Sequence, residues 1–311
     1  MDSNLLASIG YFSGINNVDA DVRKAPRPVE TPHGVKHVYP LSEAVNVDID
    51  NTFGISTRQG YGPVLVSGLD IHSMWSNGDD WPCFYVDETV LYRLMQDGST
   101  VTMAAGLTPG QRMSYAPWGN VKKIYMTNGF YIGYFQNDVM NLIKNPGIQY
   151  KAPLPPGHEV VYFFGRLYVA HKNTLYISDA MCDHYDVRYG KRVFAHNIDM
   201  IAPIDDGIYV ADGKITWFIE GLNPQESMTR FKVLDVGAIP YTNVIINGQD
   251  LREDDGVDYA MWLTPTGICL GGPKGAVKNL TIDSYFPPSA VEGRAIVRNN
   301  EQTIHYVVSL R

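Results

Sequence analysis

A short motif of alternating apolar residues around a Gly, Asp or Asn turn returns along this chain roughly every forty residues. It reads Trp81-Pro-Cys-Phe-Tyr-Val-Asp-Glu-Thr-Val-Leu-Tyr92, then Lys123-Ile-Tyr-Met-Thr-Asn-Gly-Phe-Tyr-Ile-Gly-Tyr134, and comes back over 160–170, 202–217, 259–270 and 294–308. Alternation places apolar side chains on one face of a strand, and the central turn folds that strand onto a second one. A period near 40 with two strands and a tight turn in each unit is the signature of β-propeller blades. The expected fold is therefore all-β, a β-propeller of about six blades, with bounds of five to seven because terminal units are atypical.

The flanks fit this reading. Ala44-Val-Asn-Val-Asp-Ile-Asp50 alternates strictly, Asn51-Thr-Phe-Gly54 turns, and Ile55-Ser-Thr-Arg-Gln59 returns. This hairpin and the strand-like run 303–310 are expected to close the ring between them. Residues 1–43, rich in turn residues and proline, are expected to form an irregular arm, and 44–311 the propeller. Only Asp138-Val-Met-Asn-Leu-Ile-Lys-Asn145 and a stretch near Ser42 have the pattern of a helical turn.

The formal net charge is −8 and the pI about 5.4, so no basic patch is expected to hold nucleic acid. Cys83, Cys182 and Cys269 are odd in number and far apart, which argues against a disulfide framework; they read as small core residues. The start, Met1-Asp-Ser-Asn-Leu-Leu6, has no basic segment of a secretory leader, and no apolar run reaches the length of a membrane span.

Motifs for chemistry are weak. Asp212-Gly-Lys-Ile-Thr-Trp217 resembles the Asp-box turn of sialidase propellers one register off, and Arg166, Arg188, Arg192 and Arg294 are too scattered in sequence to demonstrate the arginine triad such enzymes need. A carbohydrate-active enzyme would require carboxylates converging at the propeller mouth, with Asp205 and Asp206 as candidates. Asp179, Cys182, Asp183 and His184 make only half of a zinc pattern, and His196 follows too far on. The acidic loop at 250–258 puts Leu251 where a calcium loop needs Asp. No Gly-x-Ser-x-Gly or phosphate-binding loop occurs, Gly271-Gly-Pro-Lys-Gly275 reads as a turn, and His305 sits in an alternating strand. No catalytic, metal or cofactor residues are assigned, and the chain is not expected to be an enzyme.

The stretches Val160-Val-Tyr-Phe-Phe-Gly-Arg-Leu-Tyr-Val-Ala-His-Lys-Asn-Thr-Leu-Tyr-Ile-Ser-Asp179 and Ile198-Asp-Met-Ile-Ala-Pro-Ile-Asp-Asp-Gly-Ile-Tyr-Val-Ala211 resemble blades of the tail β-propeller proteins of tailed bacteriophages. Ser13-Gly-Ile-Asn-Asn17, Glu43-Ala-Val-Asn-Val-Asp-Ile-Asp50 and Arg58-Gln-Gly-Tyr61 are similar as well; the resemblance covers about 13–220, and beyond that only the rhythm matches. It implies a hub, nozzle or neck-ring protein, part of the DNA-ejection conduit or a platform to which tail fibres attach, made in the bacterial cytoplasm and placed in the virion tail. Such a protein assembles as a homo-oligomeric ring with other tail, adaptor or fibre proteins, and DNA passes it without specific binding. The alternative is a glycan- or receptor-binding propeller at the tail tip, with Trp75, Trp81, Trp118, Trp217 and Trp262 as pocket candidates. Irregularity and polarity place the expected interaction surfaces on Asn16, Asn17, Arg23, Lys24 and Arg27, on Asp183, His184 and Arg188, and on Arg252, Glu253 and Asp254.

Overall fold

The computed structural model describes residues 11–15, 27–31, 34–41, 47–49, 55–57, 68–78, 82–119, 122–221, 229–251, 256–283, 285–300 and 303–311. Strands β1 (Tyr11–Ile15), β2 (Arg27–Thr31) and β3 (Gly34–Leu41) open the chain as a sheet ordered β1-β3-β2. The segment expected to be irregular thus carries strands. Pro28 is tolerated because β2 is an edge strand, where a missing N–H costs no ladder bond on the open side. Strands β4 (Val47–Ile49) and β5 (Ile55–Thr57) pair antiparallel, as the alternation at 44–59 predicts.

Five four-stranded antiparallel sheets follow. The first is β6 (Ile71–Trp75), β7 (Cys83–Asp87), β8 (Val90–Leu94) and β9 (Thr100–Ala104). The second is β10 (Ser114–Pro117), β11 (Ile124–Thr127), β12 (Ile132–Gln136) and β13 (Val139–Leu142). Residues 139–142, read as a helical turn, are its fourth strand, with Gln136 opposite Val139. Next come β14 (Lys151–Pro153), β15 (Glu159–Phe163), β16 (Arg166–His171), β17 (Thr174–Ile177), β18 (His184–Asp186) and β19 (Lys191–Val193). Here β15-β16-β17-β19 form the third sheet and β14 pairs with β18 outside it. The fourth sheet is β20 (Met200–Ile204), β21 (Gly207–Ala211), β22 (Thr216–Glu220) and β23 (Thr229–Leu234). The fifth is β24 (Val244–Asn247), β25 (Asp258–Thr264), β26 (Gly267–Gly271) and β27 (Val277–Asn279). The sixth repeat of the motif is the hairpin of β28 (Gly293–Asn300) and β29 (Thr303–Leu310).

The sheets stack face on face, and the two-residue period of a strand shows why. In β16, Leu167 and Val169 enter the core shared with the second sheet, while Tyr168 and Ala170 enter the core shared with the fourth. In β21, Ile208 and Val210 face the third sheet, while Tyr209 and Ala211 face the fifth. A strand with both faces covered must be apolar at every position, and all of 207–211 are buried. Tight turns complete the units: Phe164 and Gly165 link β15 to β16 with φ of 44° and 72°, the left-handed pair of a type I′ hairpin. Gly271 has no room for a side chain, because a Cβ there would lie 2.7 Å from the rings of both Trp262 and Tyr209.

The first strands of successive sheets, β10, β15, β20 and β24, lie side by side and lead on to β28. Among the described residues no ladder joins β4 or β5 to β28 or β29, so closure by a shared sheet is not what the structure shows. The ends meet through side chains instead: Arg112, between the first and second sheets, donates to the Gly293 carbonyl at 3.2 Å. No helix among the described residues is long and apolar enough to cross a membrane.

Candidate functional site

Each sheet begins with an inner strand, and the residues just ahead of those strands converge at one end of the ring. They are Asp70 and His72 at β6, Arg112 before β10, His158 and Glu159 at β15, Asp199 before β20, Tyr241 and Asn243 before β24, and Glu292 and Arg294 at β28. Two cavities open here, of about 270 and 210 Å³, and they share Tyr241 and Glu292 as walls. His158, Lys172 and Asp199 line the larger one; Asp70, His72, Arg112 and Arg294 line the smaller.

Glu159 is the electrostatic centre. It is buried; one carboxyl oxygen accepts the Ile201 N–H at 2.9 Å, and the other accepts the Asn243 side-chain amide at 3.4 Å. Asn243 also donates to the Ile201 carbonyl at 3.2 Å, so the three residues tie the third, fourth and fifth sheets together. Burial pushes the Glu159 carboxyl up to about 8, against the pull of these hydrogen bonds and of Arg112, so the acid is mostly protonated at neutral pH. Asp199 is pushed up to about 6, first by burial and then by the nearby Asp212. Burial holds His158 and His72 below the ordinary histidine value. His158 Nε2 is tied to the Ile198 carbonyl at 2.7 Å.

Arg112 lies against the Tyr241 ring, 4.4 Å from its centroid. No ion pair neutralises Arg112 or Arg294 among the described residues. The arrangement therefore offers a neutral buried acid, a second carboxyl that changes charge near neutral pH, and guanidinium groups free to meet an anion.

The residues expected to interact lie elsewhere. Asp183, His184 and Arg188 belong to the β14–β18 excursion, where charge is locally satisfied. Lys151 bridges Asp179 at 2.6 Å and Asp186 at 3.1 Å, Arg188 grips Asp186 at 2.8 Å, and His184 stands 3.5 Å from Asp179. Hydrogen bonds from Arg188 hold Asp186 well below the usual carboxylate range. Arg27 falls in β2; Asn16, Asn17, Arg23, Lys24, Arg252, Glu253 and Asp254 lie outside the described residues. Asp205 and Asp206 cap turns, accepting the Asp258 N–H at 2.9 Å and the Lys274 N–H at 2.7 Å. Among the described residues no three His, Cys, Asp or Glu side chains gather as metal ligands. Trp118 and Trp262 are core residues, and Trp75 and Trp217 pack against core clusters, so these four do not line an open pocket; Trp81 lies outside the described residues. Cys269 is buried in the core, whereas Cys83 and Cys182 are only partly covered.

No protein-family profile and no curated protein matches the chain. Solved structures do. The extracellular domain of the one-component system BT4673 from Bacteroides thetaiotaomicron is 9% identical with a TM-score of 0.52, over 97% of this chain but only 40% of that one. Virginiamycin B lyase from Staphylococcus aureus is 13% identical with a TM-score of 0.47, covering 94% of each chain. The gluconolactonase XC5397 from Xanthomonas campestris is 10% identical with a TM-score of 0.41, over 77% of this chain and 87% of that one. None of the three is a phage protein by name. The likeness is one of fold, and the all-β propeller architecture read from the repeats stands. The expectation that the chain is not an enzyme is corrected: a lyase and a gluconolactonase are among the structures similar to it. Sequence motifs missed the axial residues because each comes from a different repeat.

Proposed function

We propose that this chain is a building block of a phage tail, a hub, nozzle or neck ring that joins copies of itself and other tail proteins around the DNA path. The observation that carries the reading is the apolar rim. The outermost strand of four consecutive sheets leaves large apolar side chains in solvent: Val101 on β9, Val139 and Leu142 on β13, Val193 on β19 and Phe231 on β23. The segment after β27 adds Leu280 and Ile282. Apolar groups repeated around an outer edge, on strands with open hydrogen-bonding groups, suit burial against neighbours. The likeness of 160–179 and 198–211 to tail propellers supports the same reading, and the net charge of −8 suits a wall that DNA passes without sticking.

Light scattering on the purified protein, followed by electron microscopy, tests this. A ring of defined copy number is expected, and a Val139→Lys, Leu142→Lys double variant should dissociate it while keeping the β-rich circular dichroism of the parent. A monomer at every concentration, also with its tail partners added, overturns the reading. A second reading, a tail-tip module that binds a receptor, is favoured by the two cavities at the axial end, whose polar linings are unlike the apolar rim.

A further inference from the structure

We propose that the smaller axial cavity is a binding site for a hydroxylated carboxylate of about the size of a single sugar acid, with Arg112 and Arg294 receiving the carboxylate group. The site stands independently of the virion reading.

Arg112 is fixed before any ligand arrives. Its side chain is held by the Gly293 carbonyl on one side and by the Tyr241 ring on the other. A guanidinium carries five N–H donors in a rigid fork, and these contacts leave most of them unused. Buried cations are normally paired, since removing charge from water without a partner is costly. Arg112 has no carboxylate at ion-pair distance, and the charge that acts on it most is a second cation, Arg294, ahead of the acids Glu159 and Glu292. Two guanidinium groups that line one cavity, neither of them in an ion pair, form a receptor for an anion brought from outside.

The other walls narrow the class of ligand. Asp70 and Glu292 face the same cavity, with Arg311 at its lip. Two carboxylates against three guanidinium groups leave room for one negative charge and disfavour a dianion such as phosphate. Those carboxylates, with Gln111, suit hydroxyl groups, and His72 Nε2 is buried there without a hydrogen-bond partner. The Tyr241 ring supplies a flat apolar face. At about 210 Å³ the space lies below the roughly 300–1,000 Å³ of drug-sized ligand pockets, which points to a small molecule.

Isothermal titration calorimetry on the full chain tests the site, with D-glucuronate and D-galacturonate as probes and D-glucose and inorganic phosphate as comparisons. At least one uronate is expected to bind at least about tenfold more tightly than glucose and than phosphate. Arg294→Gln, a change at an exposed position, should weaken that uronate by about tenfold or more at an unchanged unfolding temperature. Arg112→Lys should weaken it as well, because an ammonium reproduces the charge but not the fork. Absence of binding by both uronates up to ~10 mM overturns the proposal. So do equal affinities for the parent and Arg294→Gln, or a preference for phosphate.

Discussion

The β14–β18 excursion and the axial end of the ring each gather acids and bases, but they handle buried charge in opposite ways. On the excursion the charges cancel: Lys151, Asp179, Asp186 and Arg188 sit in one local network, and Asp186 is ionised and well below its ordinary range. At the axis they do not: Glu159 is held neutral by burial, and Arg112 and Arg294 share a cavity wall without ion-pair partners. Partners within one repeat have been matched to each other by the chain itself. Partners brought from different repeats are left with capacity to spare, and that capacity is where a ligand fits.

The largest effect expected from this contrast is at Glu159. Glu159→Ala leaves the Ile201 N–H without an acceptor in the interior, at roughly 1–3 kcal/mol, and takes from the Asn243 amide one of its two acceptors, the Ile201 carbonyl remaining. Chemical denaturation should show a loss of about 1–3 kcal/mol. Glu159→Gln keeps an acceptor and should recover most of it. If Glu159→Ala unfolds like the parent, Glu159 is not what ties the inner strands together at the axis.

The next effect is in pH, and the two regions have opposite signs. The Glu159 carboxyl is raised from 4.5 to about 8, so the folded state holds a proton that the unfolded chain has released between those values. Its stabilising contribution is complete below pH 4.5 and falls as pH rises toward 8. Asp186 is lowered, so its contribution is present above its ordinary value of 3.8 and is lost as pH falls below that. The unfolding temperature of the parent should therefore drop between about pH 5 and 8 more than that of Glu159→Gln, and Asp186→Asn should flatten only the acid side. Identical slopes for parent and Glu159→Gln would break the comparison.

Much of this fold can be read from the chain, and the reason is visible at particular strands. At 124–127, 166–171 and 207–211 both faces meet a core, so the apolar run is continuous and the turn residues bound it. Residues 139–142 misled because β13 is an edge strand: Val139 and Leu142 are exposed, and their spacing of three mimics one face of a helix. Strand β2 was hidden by Pro28, which its edge position tolerates. The axial site has no local pattern at all. Its one signal is positional: a polar residue stands next to the start of each repeat's first strand, at Asp70, Arg112, Glu159, Asp199, Asn243 and Glu292. That only becomes a site when the inner strands of the repeats are brought together.

The smallest effect sharpens the comparison at its other end. Arg188 has everything a strong contact needs: its Nε and Nη2 bond the two Asp186 oxygens at 3.0 and 2.8 Å, and its guanidinium lies 4.3 Å from the Tyr150 ring and 4.8 Å from Tyr189. Yet its side chain is 46% exposed, so water and salt compete for each of these interactions. Arg188→Lys keeps the charge and gives up the fork and the stacking. It should lower the unfolding temperature by a few degrees at most, and raising the salt to about 1 M should shrink the difference, because screening weakens the parent's ion pair more than the variant's. A loss that persists in salt would mean that stacking on the two tyrosines, not charge, secures the excursion. A loss as large as that of Glu159→Ala would erase the distinction between a region whose charges are matched locally and one whose charges are held in reserve.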